Sequence, residues 1–207
     1  MSAPLVKVCG MTRAQDVTGC TEAGADLLGF IFAAKSPRRL TPEQAAALPR
    51  TTAKRVGVFV EHTLSEVLAI MDEAELDLAQ LHGGQDPDFC RAVGPDRVIR
   101  AFWPQKHPDL ASLAAAMVPF AGAVRFALLD AGTSGGGHGK SLDFATLADL
   151  SPPMPWLLAG GLGPDNLAEA IRIAQPNGVD LNSGVESSPG LKDLVKVRRS
   201  LWAVKGE

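Results

Sequence analysis

Short apolar runs recur along the chain at intervals of roughly 20–30 residues, each followed by a polar stretch that opens with a helix-starting signal. Leu5–Cys9 (LVKVC) reads as a first strand, and Asp26–Phe32 (DLLGFIF) as a second. The second run is continuously apolar after its first residue, as a strand buried on both faces requires. Arg55–Val60, Leu76–Leu81, Arg97–Trp103, Arg125–Asp130, Trp156–Ala159 and Val179–Asn182 complete a set of eight. Between them lie helix signals. Thr12-Arg-Ala-Gln15, Thr41-Pro42-Glu43-Gln44 and Thr63-Leu-Ser-Glu66 fit capping boxes, the second with proline at the first helical position. Asp86-Pro87, His107-Pro108, Ser141, Gly163-Pro164-Asp165 and Ser188-Pro189 mark the remaining starts, the last before a helix carrying Leu194, Val197 and Leu201.

Eight strands alternating with eight helices call for a parallel sheet, and eight is the number of units that closes a (βα)8 TIM barrel. The spacing is too even for a second domain and no linker interrupts it, so residues 1–207 are expected to form one barrel domain. An open doubly wound sheet is the alternative; the absence of a glycine fingerprint after the first strand disfavours it.

Composition narrows the functional classes. With 46% hydrophobic residues the chain can build a substantial core, while a net charge of −3 and the absence of Lys/Arg runs argue against nucleic acid as a partner. The longest apolar stretch, Ala25 to Ala34, is far short of a membrane span and contains Asp26. MSAPLVKVCG lacks the basic and apolar regions of a secretory signal, and three cysteines form an odd, sparse set that suits reduced thiols. A soluble cytoplasmic domain is expected, monomer or homodimer. The chain has no tyrosine and only four histidines, which shortens the list of acid–base groups.

In a barrel of this kind the chemistry belongs at the C-terminal ends of the strands. Leu128–Phe144 joins an apolar strand, a carboxylate at Asp130, a glycine-dense loop and a polar helix start. Such a loop is costly to order and is kept where backbone must approach a ligand. Strand one ends in Cys9, which is either a small apolar filler or a reactive thiol beside Gly10. Strands one and six lie nearly opposite in an eight-strand ring, so a thiol and a carboxyl there could flank one small substrate as base and acid. Lys7 shares the face of Cys9. If that face looks inward Lys7 needs a partner, and Asp180 on strand eight is the candidate; otherwise Lys7 is a solvated side chain. Gln80 and His82 end strand four. Gly160-Gly161 and Ser183-Gly184 end strands seven and eight, where glycine turns near helix starts can gather amides around phosphate, or be ordinary tight turns.

Other patterns fail on context. Gly132-Thr-Ser134-Gly-Gly136 is followed by glycine and histidine where a nucleophile elbow needs a helix. Ser134 stands where a P-loop requires its first glycine. No spacing of His, Cys and carboxylates matches a zinc site, so a metal is not indicated.

KVCGMT (Lys7–Thr12), GFIF (Gly29–Phe32), VGVFV (Val56–Val60), QLHG (Gln80–Gly83), LLD…GGHGKSLDF (Leu128–Phe144), LAGGLGPDN (Leu158–Asn166) and VDLNSGVESSPGLKD (Val179–Asp193) occur in order. Together they resemble the phosphoribosylanthranilate isomerase family of tryptophan biosynthesis across nearly the whole chain. The resemblance implies a barrel without cofactor or metal that carries out an Amadori rearrangement of a phosphorylated small molecule. It implies that Asp130 is the general acid opening the ribose ring and Cys9 the general base removing the C2 proton. Arg38, next to Arg39, matches the arginine that holds the anthranilate carboxylate. Gly160, Gly161, Ser183 and Gly184 would hold the phosphate, with Gly137 in a closing loop, and Lys7, Gln80, His82 and Asp180 would line the pocket. His138 and Asn182 depart from the usual pattern, where a hydroxyl residue is frequent. Histidine-pathway isomerases carry an aspartate where this chain has Cys9, and a non-catalytic phosphate-binding barrel would need no acid–base pair.

Overall fold

The structure is a computed structural model that describes residues 3–130 and 144–206. Eight parallel strands close into a barrel in chain order: β1 (Leu5–Cys9), β2 (Leu27–Ile31), β3 (Lys54–Phe59), β4 (Leu78–Leu81), β5 (Val98–Phe102), β6 (Phe126–Asp130), β7 (Trp156–Ala159) and β8 (Gly178–Leu181). The ring is sealed between β1 and β8, where Lys7 lies level with Asp180. Closure leaves the barrel sheet itself without an edge strand.

Seven α-helices are present among the described residues: α1 (Ala14–Glu22), α2 (Pro42–Ala46), α3 (Leu64–Glu73), α4 (Pro87–Val93), α5 (Leu110–Met117), α6 (Leu167–Ala174) and α7 (Leu194–Lys205). The start expected near Ser141 lies outside the described residues, and a 3-10 turn, Phe144–Leu147, follows it. Between β8 and α7 the chain forms a small antiparallel hairpin, β9 (Glu186–Ser188) and β10 (Leu191–Lys192). No helix among the described residues is long and apolar enough to cross a membrane.

Strand residues alternate between two buried environments. Leu27, Val56, Leu78, Ile99, Ala101, Phe126, Leu128, Leu157 and Ala159 pack together as one cluster inside the barrel. Their neighbours Val6, Val8, Leu28, Phe30, Leu81, Leu129, Leu158 and Val179 pack outward with helix residues such as Val17, Val67, Leu113, Leu167 and Val197. Both faces are buried, which is why strand runs such as LLGFI are apolar without interruption.

Several helix starts differ from the sequence expectation. Thr41 and Thr63 form full capping boxes with Gln44 and Glu66, and Asp86 caps α4 through the Phe89 amide. Thr12 does not cap α1; the helix begins after Arg13, and the Thr12 hydroxyl donates to the Gly190 carbonyl instead. That contact ties the first turn to the β9–β10 hairpin. The fifth helix opens at Asp109, whose carboxylate accepts from the Ser112 amide, rather than at His107-Pro108, which border a preceding 3-10 turn. Asn166 precedes α6, with its side chain bent back to accept from the Gly163 amide and donate to the Gly161 carbonyl. It braces the turn after β7 rather than the helix.

Candidate active site

The inward positions grow polar toward the C-terminal mouth, and the change begins at the β1–β8 seam. Lys7 is fully buried, and its Nζ donates to Asp180 Oδ2 at 2.8 Å. Cys9, two residues on, faces the same way and is within hydrogen-bonding reach of Lys7. Burial opposes the ammonium, but the Asp180 carboxylate and then Cys9 outweigh it and hold Lys7 above the ordinary lysine range. The Cys9 thiol is pushed up by burial, with Lys7 the main group pulling it back. Gly29 on β2 lies level with Cys9, and a Cβ there would sit 2.6 Å from Sγ. The missing side chain is the space Cys9 occupies.

Across the mouth, Asp130 ends β6 with 23% of its side chain exposed, and His82 Nε2 lies 3.4 Å from its Oδ2. The imidazole is held on its other side by Gln80, whose amide nitrogen is 3.3 Å from Nδ1, and edge-on by Trp103. Beneath this turn Arg100 is buried, donating to the carbonyls of Leu81, Gly83 and Gln85. One guanidinium therefore fixes the backbone on both sides of His82.

Arg38 reaches over the β1 end from the loop after β2. Its Nε and Nη2 donate to the two oxygens of Glu186 at 2.8 and 2.6 Å. Lys192 backs the carboxylate at 2.8 Å and also donates to Asn182 Oδ1 at 3.1 Å. Burial alone raises a carboxyl pKa, but the hydrogen bonds from Arg38 and Lys192 dominate and hold Glu186 at about 2. Gly10, at φ +81°, lets this cluster close: a Cβ would sit 2.7 Å from Arg38 Cδ and 2.9 Å from Asn182 Oδ1. Arg39 is exposed and forms a bridge to Ile31 along the strand edge. Glu186 and Lys192 are absent from the sequence expectation, although both sit in the VESSPGLKD stretch. A paired Glu and Lys around a Ser-Pro-Gly turn was the available signal.

The glycine turns after β7 and β8 meet. Gly160 and Gly161 both have positive φ, and a Cβ on Gly161 would point into open space. A Cβ on Gly184 would collide with the Leu162 carbonyl at 2.1 Å, and one on Gly163 with the Gly184 carbonyl at 2.8 Å. Backbone packs on backbone there, leaving Gly160, Gly161, Ser183 and Gly184 at one rim of the mouth with no side chain larger than a hydroxymethyl. Such a rim suits an anion bound by amides. Gly137 lies outside the described residues. Two cavities of about 490 and 430 Å³ are lined by residues such as Asp77 and Arg97, or Leu5 and Phe126, at the N-terminal ends of the strands, away from this mouth.

Comparison with known proteins agrees with this geometry. The family described as N-(5'phosphoribosyl)anthranilate (PRA) isomerase matches residues 6–202. The N-(5'-phosphoribosyl)anthranilate isomerase of Maridesulfovibrio salexigens is 49% identical over 200 residues, covering 97% of this chain and 98% of that protein. The crystal structure of phosphoribosyl anthranilate isomerase from Thermotoga maritima aligns with a TM-score of 0.88 at 31% identity, covering 99% of this chain and all of that one. A phosphoribosyl anthranilate isomerase in complex with reduced 1-(o-carboxyphenylamino)-1-deoxyribulose 5-phosphate aligns with a TM-score of 0.81 at 30% identity, covering 99% of this chain and 100% of that one.

Proposed function

Since the chain belongs to the N-(5'-phosphoribosyl)anthranilate isomerase family, intramolecular isomerases of tryptophan biosynthesis, we propose that Asp130 and Cys9 act as its acid and base. The substrate is N-(5-phosphoribosyl)anthranilate and the product 1-(2-carboxyphenylamino)-1-deoxyribulose 5-phosphate. The observation that carries this reading is the placement of Cys9 and Asp130 at the ends of β1 and β6, facing one mouth from nearly opposite sides.

The order of events follows from the chemistry. Asp130, protonated, gives its proton to the ribose ring oxygen as the C1–O bond breaks, and the nitrogen lone pair forms a C=N bond. The iminium acidifies the C2 hydrogen, which the Cys9 thiolate removes, and the electron pair forms an enolamine that tautomerises to the ketone. A thiol pushed up by burial is a strong base once ionised, and Lys7 beneath it supports the thiolate. Arg38 binds the anthranilate carboxylate. Glu186 takes the Nε–Nη2 edge of its guanidinium, leaving the end-on pair of nitrogens for a second carboxylate. The turns holding Gly160, Gly161, Ser183 and Gly184 take the phosphate, while Lys7, Gln80, His82 and Asp180 support the pocket. The reaction is assigned to the cytoplasm, in keeping with the free thiols of Cys9, Cys20 and Cys90.

The test is a fluorescence assay with freshly prepared phosphoribosylanthranilate. Turnover by the parent, with loss of about 10²-fold or more in both Cys9→Ser and Asp130→Asn, is the expected result. A folded, silent parent would overturn the reaction, and an active Cys9→Ser would remove Cys9 from it.

A further inference from the structure

The proposed reaction leaves a proton imbalance on the protein. When the enolamine has formed, Asp130 has given up its proton to the ring oxygen and Cys9 has gained one from C2. Before the next cycle Asp130 must be protonated again, from a source other than the oxygen it has just served. Asp130 keeps 23% of its side chain exposed, and a substrate bound between Cys9 and Asp130 would take up part of that exposure, which makes a second route for the proton useful.

His82 offers that path. Its Nε2 is 3.4 Å from Asp130 Oδ2, and 23% of its side chain remains exposed, so the ring touches both the carboxyl and water. Its position is built rather than incidental. Arg100 clamps the carbonyls of Leu81 and Gly83 on either side of it, and Trp103 meets the ring edge-on with centroids 5.1 Å apart. Gln80 is nearly fully buried, with its amide nitrogen facing His82 Nδ1 and its Oε1 without a partner among the described residues. A buried amide with one satisfied and one orphaned end has two uses here. With nitrogen toward Nδ1 it favours hydrogen on Nε2; turned over, its oxygen accepts from an Nδ1–H. Gln80 can therefore partner the ring in either protonation state. Among the described residues, the charged groups around the ring are Asp130 on β6, Asp180 on β8 with Lys7 behind it on β1, and Lys106, which lies over the Trp103 ring.

We propose that His82 returns the proton to Asp130 in each turnover, with Gln80 accommodating the ring in both of its forms; this rests on the reaction assigned above. In the step, the imidazolium Nε2–H bond breaks with its electron pair staying on nitrogen, and the proton bonds to Asp130 Oδ2. The Cys9 thiol gives its proton to C1 and returns to thiolate as the enol oxygen releases its own proton to solvent; the ring then regains one from water, so the cycle closes with no net proton change. His82 touches no reacting atom. It acts through Asp130, as a positioning and proton-supplying residue.

Chemical rescue tests it. Turnover of phosphoribosylanthranilate is measured for the parent, His82→Ala and His82→Gln over a series of imidazole concentrations. The parent is expected to be indifferent to imidazole. His82→Ala is expected to lose about tenfold or more in kcat with KM within about twofold, and to recover as imidazole is added. His82→Gln, which keeps a hydrogen bond to Asp130 but carries no transferable proton, should be equally slow and serves if the alanine variant does not fold. Unchanged kcat in either variant overturns the proposal, as does a loss that imidazole leaves untouched. A silent parent overturns the reaction itself, and with it this step; an active parent with an active His82→Ala overturns the step alone.

Discussion

Glu186 grips Arg38 along one edge of its guanidinium, through Nε and Nη2 at 2.8 and 2.6 Å, and leaves the end-on nitrogens facing away from it. The pair is an orienting device: two parallel hydrogen bonds fix a planar group in rotation as well as position. Glu186→Gln keeps the shape but weakens the hold. KM for phosphoribosylanthranilate is expected to rise about tenfold with kcat nearly unchanged, read from steady-state kinetics.

The same carboxylate sets a pH dependence of stability. Its folded pKa is held at about 2 against an ordinary value of 4.5, so the unfolded chain takes up the proton first on acidification. The stabilisation is complete above about pH 4.5 and is lost as pH falls toward 2. It amounts to about 3 kcal/mol at most. Urea unfolding followed from pH 6 to pH 3 should show this acid loss in the parent and a flatter profile in Glu186→Gln.

Lys7 and Asp180 are buried partners 2.8 Å apart. Removing one leaves the other charged and without its counter-ion, so Asp180→Asn and Lys7→Met should each cost about 3–5 kcal/mol, while the double replacement recovers most of it. Denaturant midpoints for the three variants decide this. Lys7→Met should also shift the ascending limb of the kcat/KM pH profile upward. Cys9, already raised by burial, loses the main group that favours its thiolate.

Gly29→Ala places a methyl 2.6 Å from Cys9 Sγ and 2.9 Å from Cys9 Cα. Backbone on one side leaves no easy relaxation, so the thiol is displaced. A loss of about 10²-fold in kcat is expected, together with about 1–3 kcal/mol of stability; kinetics and thermal unfolding measure the two.

Arg55 makes the opposite case. It is buried over the Phe30 ring with Nη2 on the Ala45 carbonyl, and its Nε and Nη1 have no partner among the described residues. Arg55→Met should be neutral or stabilising by about 1–3 kcal/mol with activity unchanged, seen as an equal or higher Tm.

The barrel was legible because each strand run is apolar on both faces and each unit is punctuated by a start signal; Thr41, Thr63 and Asp86 cap as their sequences imply. Thr12 misled because a hydroxyl has more than one use, and the Gly190 carbonyl outcompeted the helix amide. Cys9, Asp130 and Arg38 could be singled out from strand ends and motifs. Glu186, Lys192 and Arg100 could not: each acts through partners far away in sequence, such as Arg38, 148 positions from Glu186. Periodicity carries no trace of such a pairing.

The seam between β1 and β8 has a consequence for the chain as it is made. Lys7 finds its counter-ion 173 positions later, and Arg38 is oriented only when Glu186 and Lys192 arrive. A chain that stops short of the β9–β10 hairpin lacks both groups that orient Arg38, so under the roles proposed above it holds the Cys9 thiol without a completed site.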